Sequence, residues 1–215
     1  MMNSRDYWDN RFKSGSWDEF GGENQTLFFN RLAISYLPKW VFEDIEFNDL
    51  SIVDVGCAEG AGSSLIKRTF TRSNVLGIDF SESAIEFAKK NYPACEFKCQ
   101  DLNEISDEYD VVFSSNVLEH FKDPYIKMDK LSHICKKYLI LLLPFQEDKL
   151  HEEHFNRFDY GSFKLSLNNF RLCYYKVINT NTIEDTMWPG KQILIVYLNN
   201  DYIKLENLKL SNINN

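Results

Sequence analysis

The 215 residues, 44% hydrophobic and 26% charged, have the composition of a single globular α/β domain and exclude a disordered, collagen-like or repeat architecture. Thirty-two acidic against 24 basic residues leave a net charge of −8, the wrong balance for a protein that neutralises phosphates along a nucleic acid, so no nucleic-acid partner is expected. Cys57, Cys95, Cys99, Cys135 and Cys173 are odd in number and contain no C-x-x-C pair; they suggest reduced thiols and a cytoplasmic location. The most apolar run, Tyr138 to Phe145, is too short to span a bilayer, and the first residues lack the apolar core of a signal peptide, so neither export nor a membrane is expected.

Ser4 is a good N-cap, and Tyr7, Trp8, Arg11 and Phe12 recur at helical spacing after it, which predicts a short helix over 4–13. SGSWDEFGGENQ reads as a loop. TLFFNRLAISYLPKWVFEDI resumes a helical period that Pro38 interrupts. From Ser51 the texture changes to regular alternation: strand SIVDV, helix GAGSSLIKRTF, strand NVLGIDF, helix SESAIEFAKKNY, strand CEFKCQDL, strand EYDVVFSSN, helix DPYIKMDKLSHICK and strand YLILLLP. The last of these is apolar on both faces and belongs in the centre of a parallel sheet. This predicts a doubly wound, Rossmann-like α/β sheet of seven strands, closed by an antiparallel hairpin from NNFRLCYYKVINTNTI and KQILIVYLNN. One domain suffices, with a helical lid over 1–48, a cofactor-binding core over 49–145, a substrate loop and closing strands over 146–200, and a polar, peripheral tail over 201–215.

The chemistry-bearing element is IVDVGCAEGAGSSL, a strand running into a glycine-rich turn and a helix. Such a turn lets a ligand approach the backbone and seats it at a helix N-terminus. Gly56 and Gly60 also suit an ordinary tight turn. A dinucleotide fingerprint starting at Gly56 needs glycine where Ala58 and Ala61 stand, and one starting at Gly60 ends on Leu65; a nicotinamide-dependent oxidoreductase is therefore the weaker reading.

Over residues 52–145 the chain resembles the class I S-adenosylmethionine-dependent methyltransferases. Asp54, Gly56 and Gly60 stand at the places of that family's first motif, with Ala58 where a middle glycine is common. Asp79, closing GIDFS, stands where the family's ribose-binding acid lies, and Asp101 in CQDL where its adenine-contacting acid lies. YDVVFSSNVLEHF is similar to the fourth motif. The resemblance implies S-adenosylmethionine as cofactor, S-adenosylhomocysteine as product and no metal. It places Leu102, Ser114 and Asn116 beside the cofactor, and Phe80 either on the adenine or in the core.

The carboxyl ends of the strands put Ser114, Ser115, Asn116, Glu119 and His120 at the depth of the methyl group, and His120 is the candidate base or, equally, a positioning residue. RDYWDNRFKSG resembles the family's lid segment, which implies that Tyr7 and Trp8 cover the methionine end, Arg11 pairs with its carboxylate and Tyr7 holds the acceptor. In HEEH the histidines are three apart, unlike the H-E-x-x-H zinc helix, and no third ligand can be named from the sequence, so no metal is expected there. His154, Arg157 and Tyr160 either bind an anionic group of the acceptor or sit on a solvated loop.

The expected activity is methyl transfer to a small polar metabolite. The favoured acceptor is the amine of an amino alcohol phosphate or amino sugar in an envelope or capsule polysaccharide pathway, because the Asn116 to His120 spacing and Tyr7 are similar to features of phosphoethanolamine N-methyltransferases. O-methylation of a sugar or quinol is the alternative. A non-catalytic adenosylmethionine-binding module is the reading from another class.

Overall fold

The computed structural model describes residues 1–203. Four helices lead the chain: α1 (Arg5–Ser14), α2 (Ser16–Glu19), α3 (Gly22–Ser35) and α4 (Lys39–Phe47). The Ser4 hydroxyl accepts the Tyr7 amide as the N-cap of α1. Where a loop is expected after α1, the chain instead forms α2 and the opening turns of α3. Trp17 packs on Trp8 and Phe12, with ring centroids at 6.0 and 5.3 Å, and these contacts outweigh the weak helix propensity of the Gly and Ser residues around it. Pro38 sits at the N-cap of α4, as its fixed φ and missing N–H dictate.

The core alternates as its sequence pattern predicts: β1 (Ile52–Val55), α5 (Ala61–Thr69), β2 (Val75–Asp79), α6 (Glu82–Asn91), β3 (Glu96–Cys99), β4 (Tyr109–Ser115), α7 (Pro124–His133) and β5 (Cys135–Pro144). Ser81 caps α6 by accepting the Ala84 amide, and Pro124 opens α7. The last third supplies β6 (Ser166–Leu167), β7 (Phe170–Asn179) and β8 (Lys191–Asn199). The sheet runs β3-β2-β1-β4-β5-β8-β7-β6. Its first five strands are parallel, and β8 enters antiparallel between β5 and β7. These include the seven strands read from the sequence. The eighth, β6, is a two-residue pairing at the edge of β7, too short for any periodicity to reveal.

Successive residues of β5 feed opposite faces of the sheet. Leu139, Leu141 and Leu143 pack with Met128 and Leu131 of α7. Tyr138, Ile140 and Leu142 pack with Phe29 and Leu32 of α3, Val41 and Ile45 of α4 and Ile66 of α5. A strand covered on both faces must be apolar at every position, which explains the unbroken run. Two glycines shape the turn after β1. A side chain at Gly56, where φ is +80°, would meet Val117 at 2.4 Å, and one at Gly60, where φ is +84°, would meet Phe97 at 2.7 Å. Among the described residues no helix is long and apolar enough to cross a membrane. The tail expected at the periphery lies, from residue 204 onward, outside the described residues.

Candidate active site

One cleft lies at the carboxyl ends of β1, β2 and β4, with α1, α2 and α3 forming its roof. The turn after β1 contributes Asp54, Gly56 and Ala58; the end of β2 contributes Asp79 and Phe80; the segment after β3 contributes Gln100 and Leu102. Asp79 is 9% exposed. Its two carboxylate oxygens accept the amides of Ala58 at 3.0 Å and Ser81 at 2.9 Å, leaving lone pairs for further donors on the cleft side. Burial pushes its carboxyl up to about 6, with the surrounding amides opposing. Ala58 has φ +48°, a left-handed conformation that explains why glycine is common at this place in related loops. Asp54 lies deeper and accepts the Ser63 hydroxyl at 2.6 Å.

The roof is held at two points. Asp9 accepts the Ser83 amide and the Ser81 hydroxyl, at 2.9 and 2.8 Å, so it tethers α1 to the N-terminus of α6. Arg11, 8% exposed, pairs with Glu153, and the Tyr7 hydroxyl donates to the same carboxylate. The Arg11 guanidinium also lies over Phe20 at 4.4 Å and over Trp8 at 5.1 Å. Two buried donors of cleft-lining residues have no partner among the described residues, Arg11 Nε and Trp17 Nε1, and three buried acceptors, Asn3 Oδ1, Asn30 Oδ1 and Glu119 Oε2, are likewise unpartnered.

The other end of the cleft carries Asn116, Glu119 and His120, which follow β4, and His151, Glu153 and His154, which come from the loop after β5, with Trp188 alongside. His120 Nδ1 lies 3.1 Å from the Glu153 carbonyl oxygen. His154 Nδ1 lies 2.9 Å from Glu147 Oε1. Burial pushes His120 down to about 4. Burial also disfavours the charged form of His154, but the carboxylates of Glu147, Glu119 and Glu153 outweigh it and raise its pKa.

The cleft thus gathers Trp8, Arg11, Asp54, Gly56, Ala58, Asp79, Phe80, Leu102, Asn116, His120 and His154. Six sequence-predicted residues stand elsewhere. Tyr7 is outside the lining, its hydroxyl taken by Glu153. Gly60 caps α5 beneath the loop. Asp101 turns back to accept the Asn103 amide at 2.8 Å, and Gln100 faces the cleft in its place. Ser114 is buried and donates to the Val55 carbonyl at 3.0 Å. Arg157 and Tyr160 are exposed on the loop. Sequence reasoning missed Trp17, Gln25 and Asn30 in the roof, and Glu147 and Glu153 in the loop. The one local signal was a run of polar residues inside the apolar period of α3.

A doubly wound sheet whose first turn, second-strand acid and helical roof enclose one cleft defines the class I methyltransferase fold. The family model described as "Methyltransferase domain" matches residues 46–193, and the chain belongs to that family. Over 153 residues it is 26% identical to a malonyl-[acyl-carrier protein] O-methyltransferase of Bacillus cytotoxicus, covering 61% of this chain and 54% of the relative. Over 115 residues it is 29% identical to the mitochondrial ubiquinone biosynthesis O-methyltransferase of Saccharomyces cerevisiae, covering 48% and 37%. The chain spans about half the length, or less, of the curated relatives it matches. Magnesium protoporphyrin IX methyltransferase (ChlM) from Synechocystis PCC 6803, solved with bound SAH, shares the fold with a TM-score of 0.71 at 16% identity, covering 91% of this chain and 97% of that one.

Proposed function

We propose that the protein transfers a methyl group from S-adenosylmethionine to a hydroxyl of a small molecule. The observation that carries the cofactor is the distribution of unmet polar atoms. Asp79 presents free lone pairs at the end of β2, where two ribose hydroxyls can donate, and the unpartnered Arg11 Nε, Trp17 Nε1 and Asn30 Oδ1 suit a carboxylate and an ammonium at the roof. When bound, S-adenosylmethionine supplies a methyl group already activated on a sulfonium, so the transfer itself needs no metal. The chain's part is to orient both partners and exclude water. Phe80 and Leu102 flank the adenosine position, and Trp8, Phe12 and Trp17 close the roof over the methionine end.

On the acceptor side, the Glu153 carbonyl accepts from Nδ1–H of His120 and leaves Nε2 with its lone pair toward the cleft. That nitrogen accepts a hydrogen bond from the acceptor and aligns it. Tyr7 acts through Glu153 and is a positioning residue. The amine of an amino alcohol phosphate finds less support, because Arg11, already paired with Glu153, is the only arginine or lysine lining the cleft among the described residues, and Arg157 and Tyr160 stand outside it. The curated relatives described above are O-methyltransferases by name, which agrees with an oxygen rather than a nitrogen acceptor. A panel of sugars, phenols, quinols and amino sugars, read by S-adenosylhomocysteine release, tests the assignment. Turnover confined to amines would overturn the hydroxyl reading, and binding of NAD in place of S-adenosylmethionine would overturn the methyltransferase reading.

A further inference from the structure

Glu119, His120 and His154 each bring one donor atom to the acceptor end of the cleft, and the three atoms all lie within 4.8 Å of one another. Two come from the motif after β4 and one from the loop after β5, 34 positions further along. This is why the HEEH string taken alone offered no third ligand.

Both histidines are oriented as metal-bound histidines are. Nδ1 of His120 faces the Glu153 carbonyl at 3.1 Å, and Nδ1 of His154 faces both Glu147 oxygens at 2.9 and 3.0 Å. Each partner is an acceptor, so Nδ1 carries the hydrogen and Nε2 keeps the free lone pair. A histidine that donates its other N–H to a carboxylate or a backbone carbonyl is the usual second contact of a metal ligand. Independently, Glu119 is 1% exposed, and its Oε2 is buried with no hydrogen-bond partner among the described residues. A buried carboxylate oxygen without a donor calls for a cation. Glu147 and Glu153 add negative charge behind the histidines, and Arg11 already pairs with Glu153.

We propose that Glu119, His120 and His154 form a divalent-metal site of the zinc type, with its remaining position open to the cleft. Two histidines and one carboxylate are a ligand set that holds zinc while leaving room for another oxygen ligand. Zinc–ligand bonds of about 2.0–2.1 Å set tetrahedral donors about 3.3 Å apart, so the donors must draw together by up to about 1.5 Å. Side-chain rotation supplies that over the open face. The use of the site rests on the methyltransferase reading: with metal bound, His120 Nε2 is a ligand, and the open position holds the acceptor hydroxyl oxygen in place of the hydrogen bond that this nitrogen accepts in the metal-free protein. Metal binding itself does not depend on that reading.

The test uses the full chain stripped with chelator, without cofactor, titrated with Zn²⁺ by calorimetry and with Co²⁺ by visible absorption. One equivalent should bind, and Co²⁺ should give the ligand-field bands of a low-coordinate site. His154→Ala and Glu119→Gln should each weaken Zn²⁺ binding at least 10-fold and abolish the Co²⁺ bands. Glu147→Gln, which touches only a ligand's second nitrogen, should weaken Zn²⁺ binding by about 10- to 100-fold. Melting by circular dichroism and retained S-adenosylhomocysteine affinity identify which variants are folded. Absence of the Co²⁺ bands in the parent chain, or unchanged Zn²⁺ affinity in folded His154→Ala, would overturn the site. Normal Zn²⁺ binding with no binding of S-adenosylhomocysteine would support the site and overturn the methyltransferase reading.

Discussion

Arg11 and Glu153, 142 positions apart, form a buried ion pair that joins the helical roof to the loop after β5. The same carboxylate receives the Tyr7 hydroxyl, and the same residue's carbonyl faces His120. Glu153 therefore connects the roof, the loop and the acceptor end of the cleft. Removing one partner of a buried pair leaves an uncompensated charge, which costs about 3–5 kcal/mol when the charge stays buried. Glu153→Ala should relieve that cost by loosening α1, so hydrogen exchange across residues 4–20 should quicken at least 10-fold. S-adenosylhomocysteine should restore part of the protection by giving Arg11 another carboxylate. Unchanged exchange in the variant would show that Asp9 alone holds the roof.

Asp79 carries the ribose in the proposed mode. Asp79→Ala should weaken S-adenosylmethionine binding by about 1.5–3 kcal/mol, the usual worth of a hydrogen bond to a charged group. Titration calorimetry measures it. Equal affinity in the variant would remove Asp79 from the cofactor site.

Gln100 takes the place expected of Asp101. The Asp101 carboxylate is taken by the Asn103 amide, while Gln100 lines the cleft. Asp101→Asn should change S-adenosylmethionine affinity less than threefold, and Gln100→Ala should change it more. The reverse order in calorimetry would return the adenine contact to Asp101.

Asp54 makes stability depend on pH. Burial pushes its carboxyl up to about 7, the Ser63 hydroxyl opposes the shift and the Asp79 charge adds to it. The unfolded value is about 3.9. A carboxyl raised by folding contributes stability that is fully present below the unfolded value and is lost as pH rises through the folded one. Asp54→Asn should therefore flatten the decline in melting temperature of the cofactor-free protein between pH 4 and 7. A slope unchanged from the parent would place the titration elsewhere, at Glu59 or Glu119, whose carboxyls burial also raises to about 7.

His120 faces the acceptor. His120→Ala should lower kcat by about 10²-fold, the cost of a misaligned acceptor, with S-adenosylhomocysteine affinity unchanged. A variant that loses activity only through weaker cofactor binding would place His120 on the cofactor side.

The sequence by itself determined the features whose causes lie within a few residues. The unbroken apolar run of β5, the caps Ser4 and Ser81, the stop at Pro38 and the tight turn through Gly56 each depend on neighbours along the chain, so the alternating core and the order of its motifs were legible before any coordinates. The place of Asp79 was legible from the resemblance of GIDFS to the family's second motif, and it lies at the end of a parallel strand, where ligands bind. The tertiary structure decided what those residues meet. Arg11 reads as a free cation for a carboxylate until Glu153 arrives beside it, and Tyr7 reads as a cleft residue until the same carboxylate takes its hydroxyl. Ser114 and Asp101 stand in the expected motifs, yet their side chains turn to Val55 and Asn103, since a rotamer is chosen by the nearest acceptor or donor and not by position in a motif. His154 joins Glu119 and His120 only because the loop after β5 folds back over the end of β4. Such meetings follow from the path of the chain, and no local periodicity encodes them.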